Sequence, residues 1–364
     1  MKGIRWGCAI AGVAAVTGVQ AQSITMYGTI DTGLEYLNHI GPKSDSTLRV
    51  PGITGTQPSK WGVRGVEDLG GGLKAQFVVE SGFLPDTGNL SQGGRLFGRE
   101  AHVGLSGNWG TLFVGRQYTM LSYALRDANI TGTNIYGSGS LDPYIPNARV
   151  DNSVGYLGRF GGFTVGATYS FGRDAVNAGP SPGGTNCAGE NAADTRQCRE
   201  WSAMVKYNAP TWGAALAYDA LRGGPGAFAG LTSSDLSDTR LVVNGFLQLG
   251  DWKLGAGVIR RDNEGSPVPR SDLLNLGVAY RWSPSLLLDA ELLRLDFKDS
   301  PNQATLGTVR AQYALSKRTT TYATFGHISN DGNLAIAVSA GQPGGNPAAG
   351  NSQAGLLVGI RHSF

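Results

Sequence analysis

Between Ala354 and Phe364 the side chains sort by parity: Ala354, Leu356, Val358, Ile360 and Phe364 fall on one side of an extended chain, and Gly355, Gly359, Arg361 and Ser363 on the other. The same period of two returns along the whole sequence. From Ser23 to Tyr36 one row reads Ile24, Met26, Gly28, Ile30, Thr32, Leu34 and Tyr36, while Thr25, Thr29, Asp31 and Glu35 share the other. Phe163, Val165, Ala167, Tyr169 and Phe171 oppose Thr164, Gly166, Thr168, Ser170 and Gly172. Trp201, Ala203, Val205 and Tyr207 oppose Ser202, Met204 and Lys206, and Leu274, Leu276, Val278, Tyr280 and Trp282 oppose Asn275, Gly277, Ala279 and Arg281. Each segment is about ten residues long, with aromatics at its ends. One face suits hydrocarbon and the other suits water, which is the requirement on a strand in the wall of a membrane barrel.

Helical alternatives fail on length and composition. Beyond the N-terminal region no apolar run approaches the ~20 residues a membrane helix needs. With 56 glycines and 16 prolines in 364 residues, the chain is also unlike an ordinary α/β enzyme. Disorder does not explain the glycines, because they alternate with aromatic and aliphatic residues. The N-terminus reads as an export signal: Lys2 and Arg5 form a basic region, Gly7 to Val16 an apolar one, and Val19-Gln20-Ala21 a cleavage site before Gln22. The expected organisation is a cleaved signal peptide over residues 1–21, which takes Cys8 with it, and a single barrel domain over 22–364.

Connections alternate in length. Short ones are Asp68 to Gly72, Gly107 to Gly110, Gly158 to Gly161, Asn208 to Pro210, Gly250-Asp251, Ser283-Pro284 and Ser316-Lys317. Long, polar, glycine- and proline-rich ones are centred on 40–58, 85–94, 118–148, 173–199, 223–236, 262–271, 298–303 and 329–351. The expectation is an all-β, transmembrane antiparallel barrel of about sixteen strands. They start near Ser23, Ser59, Leu73, Arg95, Gly110, Arg149, Gly161, Arg199, Thr211, Thr239, Asp251, Asp272, Ser285, Gln303, Lys317 and Ser352. A barrel of that size leaves an aqueous channel.

Without Lys2 and Arg5 the chain has 28 basic and 27 acidic residues, so charge implies no nucleic-acid partner. Cys187 and Cys198, close together in an exported chain, read as a disulfide closing a small loop, worth about 2–3 kcal/mol on the loop-closure model. A metal site is the rival, with no histidine or further cysteine nearby to complete it. No cofactor motif stands in context: Gly70-Gly71-Gly72 is a hairpin turn and opens no helix.

Several local sequences are similar to those of Gram-negative general porins. They are Met26-Tyr27-Gly28-Thr29-Ile30-Asp31, the run Lys60 to Gly72, Arg99-Glu100-Ala101-His102-Val103-Gly104-Leu105, Gly110 to Gln117, and the closing Val358 to Phe364. The resemblance covers the mature chain. It implies a homotrimer of sixteen-stranded barrels set in outer-membrane lipid, each passing small hydrophilic solutes and ions. It also implies a third long loop folded into the lumen and a terminal Phe364 read by the barrel-assembly machinery. The family's constriction sets basic wall residues against acidic groups of the infolded loop, so that solute crosses a transverse field.

By that resemblance the basic wall comprises Lys60, Arg64, Arg99 and Arg149. Lys60 and Arg64 share a face. Arg99 matches by motif but falls in the row of Ala101, Val103 and Leu105, so a bulge or local reversal is needed to turn it inward. Between Tyr118 and Ala148 the only carboxylates are Asp127 and Asp142, with Arg126 beside Asp127. This thin acidic arm points to a pore that is weakly selective or leans toward anions. Asp31 and Glu35 would restore cation preference if they reach the throat. Further charged lumen candidates are Lys206, Asp219, Arg240, Lys253, Arg281, Asp289, Glu291, Arg310 and Arg361.

An enzyme is the less favoured class. His39, His102, His327 and His362 are expected at interfaces or the surface, and none lies in a nucleophile motif. The long loops 173–199 and 329–351 keep open a substrate-specific channel or an adhesive barrel.

Overall fold

The computed structural model describes residues 23–174, 185–339 and 344–364, so the expected signal peptide lies outside the described residues. The first half of the wall is β1 (Ser23–Ile40), β2 (Asp45–Arg49), β3 (Lys60–Gly70), β4 (Leu73–Gly82), β5 (Glu100–Gly107), β6 (Gly110–Tyr118), β7 (Arg149–Phe160), β8 (Phe163–Ser170) and β9 (Glu200–Asn208). The second half is β10 (Trp212–Arg222), β11 (Ser237–Leu249), β12 (Trp252–Asn263), β13 (Arg270–Arg281), β14 (Leu286–Phe297), β15 (Gln303–Ala314), β16 (Thr319–Asn330) and β17 (Gln353–Ser363). Two short helices, α1 (Met120–Leu125) and α2 (Ser138–Leu141), lie in the long connection between β6 and β7.

Every neighbouring pair is antiparallel, and β1 pairs with β17, so the sheet closes on itself. The lower half of β1 pairs with β3, from Ser23↔Val66 to Thr29↔Lys60, and its upper half with β2, from Glu35↔Arg49 to Ile40↔Asp45. β2 and β3 thus share one place beside β1, and seventeen segments make a sixteen-position barrel. Closure is required by the solvent, since an open edge would leave backbone groups unbonded in hydrocarbon. Among the described residues no helix is long and apolar enough to cross a membrane, and strands do the crossing.

The seam is closed by the last residue. Gly28 N donates to Phe364 O at 3.1 Å, and Phe364 N donates to Gly28 O at 3.0 Å. A Cβ on Gly28 would collide with the Phe364 ring and with the Lys60 carbonyl oxygen, so only glycine lets that ring lie flat over β1. The outward rows are those expected from parity, with Met26, Leu276 and Val358 all exposed on the outer face. Aromatic pairs gather at the short-turn end, where Trp252 stacks on Tyr280 at 4.2 Å and Phe163 meets Tyr207 at 4.8 Å. They gather again at the loop end, where Trp201 meets Tyr218 at 5.0 Å. These are the two interfacial girdles.

Three details depart from the expected layout. The fourth strand position, β5, begins at Glu100, not near Arg95, because a one-turn 3₁₀ helix at Gln92–Gly94 and a bend occupy the intervening residues. The loop expected over 40–58 contains β2, which extends β1 as a hairpin above the wall. The inner face is not uniformly polar: Leu273, Leu293, Leu306, Ile328 and Leu357 point inward and are buried under the 118–148 segment, forming the main apolar core.

Gly28→Val is expected to destabilise the closed barrel by about 1–3 kcal/mol through overpacking at the seam. The measurement is the temperature at which the purified protein loses its compact, heat-modifiable band on unheated gels. Gly307→Ala, at a position where a Cβ meets nothing within 4 Å, is the control and should leave that temperature unchanged.

Candidate functional site: the lumen and its infolded loop

The 118–148 connection enters the barrel because the wall supplies partners for its backbone. Buried peptide groups must be bonded, and this loop finds its partners on strands from β9 round to β1. Met120 N donates to Ser202 Oγ at 2.9 Å, Thr119 Oγ1 and Tyr144 OH donate to Asp219 at 2.9 and 3.2 Å, and Asn244 donates to the Ala124 carbonyl at 3.0 Å. Further on, Thr131 N donates to Glu291 Oε2 at 3.0 Å, and Arg310 donates to the Thr131 carbonyl at 3.0 Å. Tyr136 OH donates to Glu35 Oε1 at 3.0 Å, and Tyr136 N to the Val338 carbonyl at 3.2 Å. Gly255 and Gly277 leave the room in which Ala128 and Ile130 lie against the wall.

Both carboxylates of the loop are held by wall cations. Asp142 receives Arg240 Nε at 2.8 Å, and Asp127 receives Lys206 Nζ at 2.8 Å and Asn208 at 3.2 Å. Burial alone would raise the Asp142 carboxyl, but the Arg240 and Arg261 charges and the bonds from Arg240 and Tyr144 N hold it at about 2. Burial is likewise outweighed at Asp127 by the bonds from Lys206 and Asn208, which keep that carboxyl below its ordinary value.

The basic residues converge on the opposite wall. Lys60 and Arg99 share one carboxylate, Glu80, at 3.1 and 2.6 Å. Arg99 stands in the bend just before β5, outside the regular ladder, and this local reversal turns it inward against the parity of Ala101 and Val103. Tyr118 is the centre of the cluster. Its hydroxyl accepts from Arg99 Nη2 at 2.6 Å and Arg149 Nη2 at 2.9 Å, and the guanidiniums of Arg149, Arg126 and Arg99 lie 4.5, 5.3 and 6.0 Å from its ring centroid. Arg126, on the loop, also covers Tyr123 at 4.1 Å, and Arg64 covers Tyr27 at 5.3 Å. Lys60, Arg64, Arg99, Arg126 and Arg149 therefore gather about two carboxylates, Glu80 and Glu100, the second within 3.1 Å of His102. Arg149 is 6 % exposed, and its Nε and Nη1 have no hydrogen-bond partner.

The remaining expected residues are placed as follows. Asp31 is buried and accepts from Thr56, from Gln57 N at 3.0 Å and from Tyr322 OH at 2.6 Å. Glu35 reaches the loop through Tyr136 but is paired with Arg49 at 2.6 Å. Cys187 and Cys198 form a disulfide, with Cα atoms 5.2 Å apart, so the rival metal reading falls. His102 corrects the expectation of a surface histidine: it faces inward, buried beside Glu100 and 5.0 Å from the Phe113 ring. Glu80 and Tyr118 were not singled out from the sequence. Glu80 closes Val78-Val79-Glu80, where alternation is blurred, and Tyr118 could have been marked as the aromatic at the foot of the third loop.

Removing one partner of a buried ion pair costs about 3–5 kcal/mol, because the other is left charged and unbonded. Asp142→Asn is therefore expected to loosen the loop and give larger or noisier unit conductance in planar bilayers at neutral pH. In the unsubstituted protein the Asp142 carboxyl is depressed, so its contribution is complete above about pH 4 and lost as pH falls through about 2. Unit conductance limited by this clasp should be steady from pH 7 to pH 4 and change only toward pH 2; a transition near pH 5 would contradict the assignment.

Residues 8–333 match the family model described as Gram-negative porin. The chain is 30 % identical to outer membrane porin protein 32 of Delftia acidovorans over 98 % of both chains. It is 36 % identical to the major outer membrane protein P.IB of Neisseria meningitidis over 30 % of this chain and 32 % of that one. Among solved structures it is similar to the anion-selective porin from Comamonas acidovorans, with a TM-score of 0.76 and 26 % identity over 94 % of this chain and all of the other. It shares the fold of OmpT of Vibrio cholerae in its trimer form, with a TM-score of 0.66 and 16 % identity over 95 % of this chain and 100 % of that one. Closed wall, infolded loop, charged lumen and full-length similarity agree, and the chain belongs to the Gram-negative porins, the diffusion channels of the outer membrane.

Proposed function

We propose that this porin is a non-enzymatic, general diffusion channel for small hydrophilic solutes whose throat favours anions. The observation that carries the reading is the cluster at Tyr118, in which five cations face two carboxylates while Asp127 and Asp142 are occupied by Lys206 and Arg240. In a narrow water-filled passage with low-dielectric walls, such an excess of fixed positive charge raises the local anion concentration. Lys60, Arg64, Arg99 and Arg149 are the wall residues of this throat and Arg126 its loop residue. Asp31 and Glu35 add little cation preference, since their oxygens are already bonded. The similarity to an anion-selective porin supports the same direction.

The protein acts as a homotrimer in outer-membrane lipid, as the trimer form of a fold relative suggests. It is exported through the cleaved segment 1–21 and inserted by an assembly machinery that reads the Phe364 strand. Residues 22–364 form the single functional domain.

The test is the zero-current potential across a planar bilayer in a KCl gradient. Its sign should report anion preference, and Lys60→Gln with Arg64→Gln should move it toward zero; cation preference in the unsubstituted channel would refute the reading. Liposome swelling should fall smoothly with solute size, whereas saturation by one solute would mark a specific channel and absence of swelling an adhesive barrel.

A further inference from the structure

Charged lumen residues divide along the barrel axis. Asp219, Arg240 and Glu291 lie in the middle and loop half of the wall and Asp289 and Arg310 somewhat nearer the short turns, all engaged with one another or with the infolded loop. Toward the short-turn end stand Lys74, Arg159, Lys253, Arg281 and Arg361, none with a carboxylate within ion-pair distance among the described residues. Register places all five inward. Lys74 pairs with Asp68, and Arg159 shares a rung with Thr164 and Lys206. Lys253 pairs with Ala279, itself opposite the inward Asp289, while Arg281 lies two residues further along β13 and Arg361 opposite Asp31.

No acidic group at this end forms an ion pair with these five among the described residues, and Asp68 lies opposite Lys74. Asp127 is taken by Lys206, and the Asp31 oxygens by Thr56, Gln57 and Tyr322. Asp68 sits at the hairpin and accepts from Gly70 N at 2.9 Å. Lys253 and Arg281 are diagonal neighbours on adjacent strands, about 7–8 Å apart at the backbone. Arg159 and Lys206 are two strand spacings apart, about 10 Å. The Lys253–Arg281 spacing matches the span of a small solute with several negative charges, whereas Lys206 is already paired with Asp127.

We propose that the short-turn vestibule is a docking chamber for small multivalent anions, oligophosphates or polycarboxylates, distinct from the throat at Tyr118. A fixed potential acts in proportion to solute charge: about one kT per unit charge enriches a monovalent anion about threefold and a trivalent one about twentyfold. Chloride passes with little retention while a trivalent or higher anion is held. The inference uses the aqueous lumen of the channel reading but not its throat preference.

Tripolyphosphate is the probe, added to one side of a bilayer holding the full-length channel in KCl. Orientation is set by one-sided insertion and checked by streptavidin on a biotin tag inserted at the exposed Asp299 in the loop after β14. Current should be blocked from the short-turn side at a concentration at least about tenfold lower than from the loop side, and orthophosphate should block far less. Arg159→Gln with Arg281→Gln, both exposed and outside the Tyr118 cluster, should abolish the difference between sides. Equal block from both sides, or a side difference untouched by the double substitution, would overturn the proposal. The KCl reversal potential separates the two readings: a cation-preferring channel that still shows side-dependent block removes the throat assignment and keeps the vestibule.

Discussion

Everything in this molecule follows from the need to bond every backbone amide and carbonyl of the wall inside the wall. Hydrocarbon offers no alternative partner, so the sheet has no permitted free edge, and the chain must return to its own first strand. The reciprocal bonds between Gly28 and Phe364 complete that return. Once the ladder is closed, side chains have only two directions to point, and the parity of each residue decides whether it meets lipid or water. The channel is the space that closure encloses.

The infolded loop obeys the same demand in different surroundings. Its peptide groups lie in a crowded lumen and are bonded by Ser202, Asn244, Glu291 and Arg310, while its two acids are matched one for one by Lys206 and Arg240. Ion pairs of this kind add little net stability against an apolar alternative, but each strongly penalises any placement of the loop that separates the partners. The wall thereby fixes the position of the loop more firmly than it stabilises it, leaving Arg126 and Arg149 both against the Tyr118 ring.

Much of this was legible in the sequence because the barrel's main signal is local. The alternations through β1, β8, β9 and β13 can be read within ten residues, and the turn residues mark where one ends and the next begins. Strand starts agree with the sequence reading to within a few residues, the largest miss being Arg95 for Glu100, where glycine and a 3₁₀ turn imitate a strand approach. What stayed hidden depends on contacts between distant residues. Nothing near Asp142 announces Arg240, and nothing near Lys60 announces that Glu80 serves Arg99 as well. The inward leucines did leave a trace: in Leu292-Leu293-Arg294-Leu295 the alternation fails, and that failure marks where the lumen is filled by protein in place of water.

The anchors of the loop also carry an order in time. Asp142 meets Arg240 98 positions later, Thr131 meets Glu291 160 positions later, and Tyr136 rests against Val338, nearly the end of the chain. Contacts so distant in sequence form late, since each must wait for the intervening chain to be placed. By this measure the infolded loop settles late, with the strands that anchor it. Narrowing of the passage thus coincides with arrival of the C-terminal strands that seal the wall.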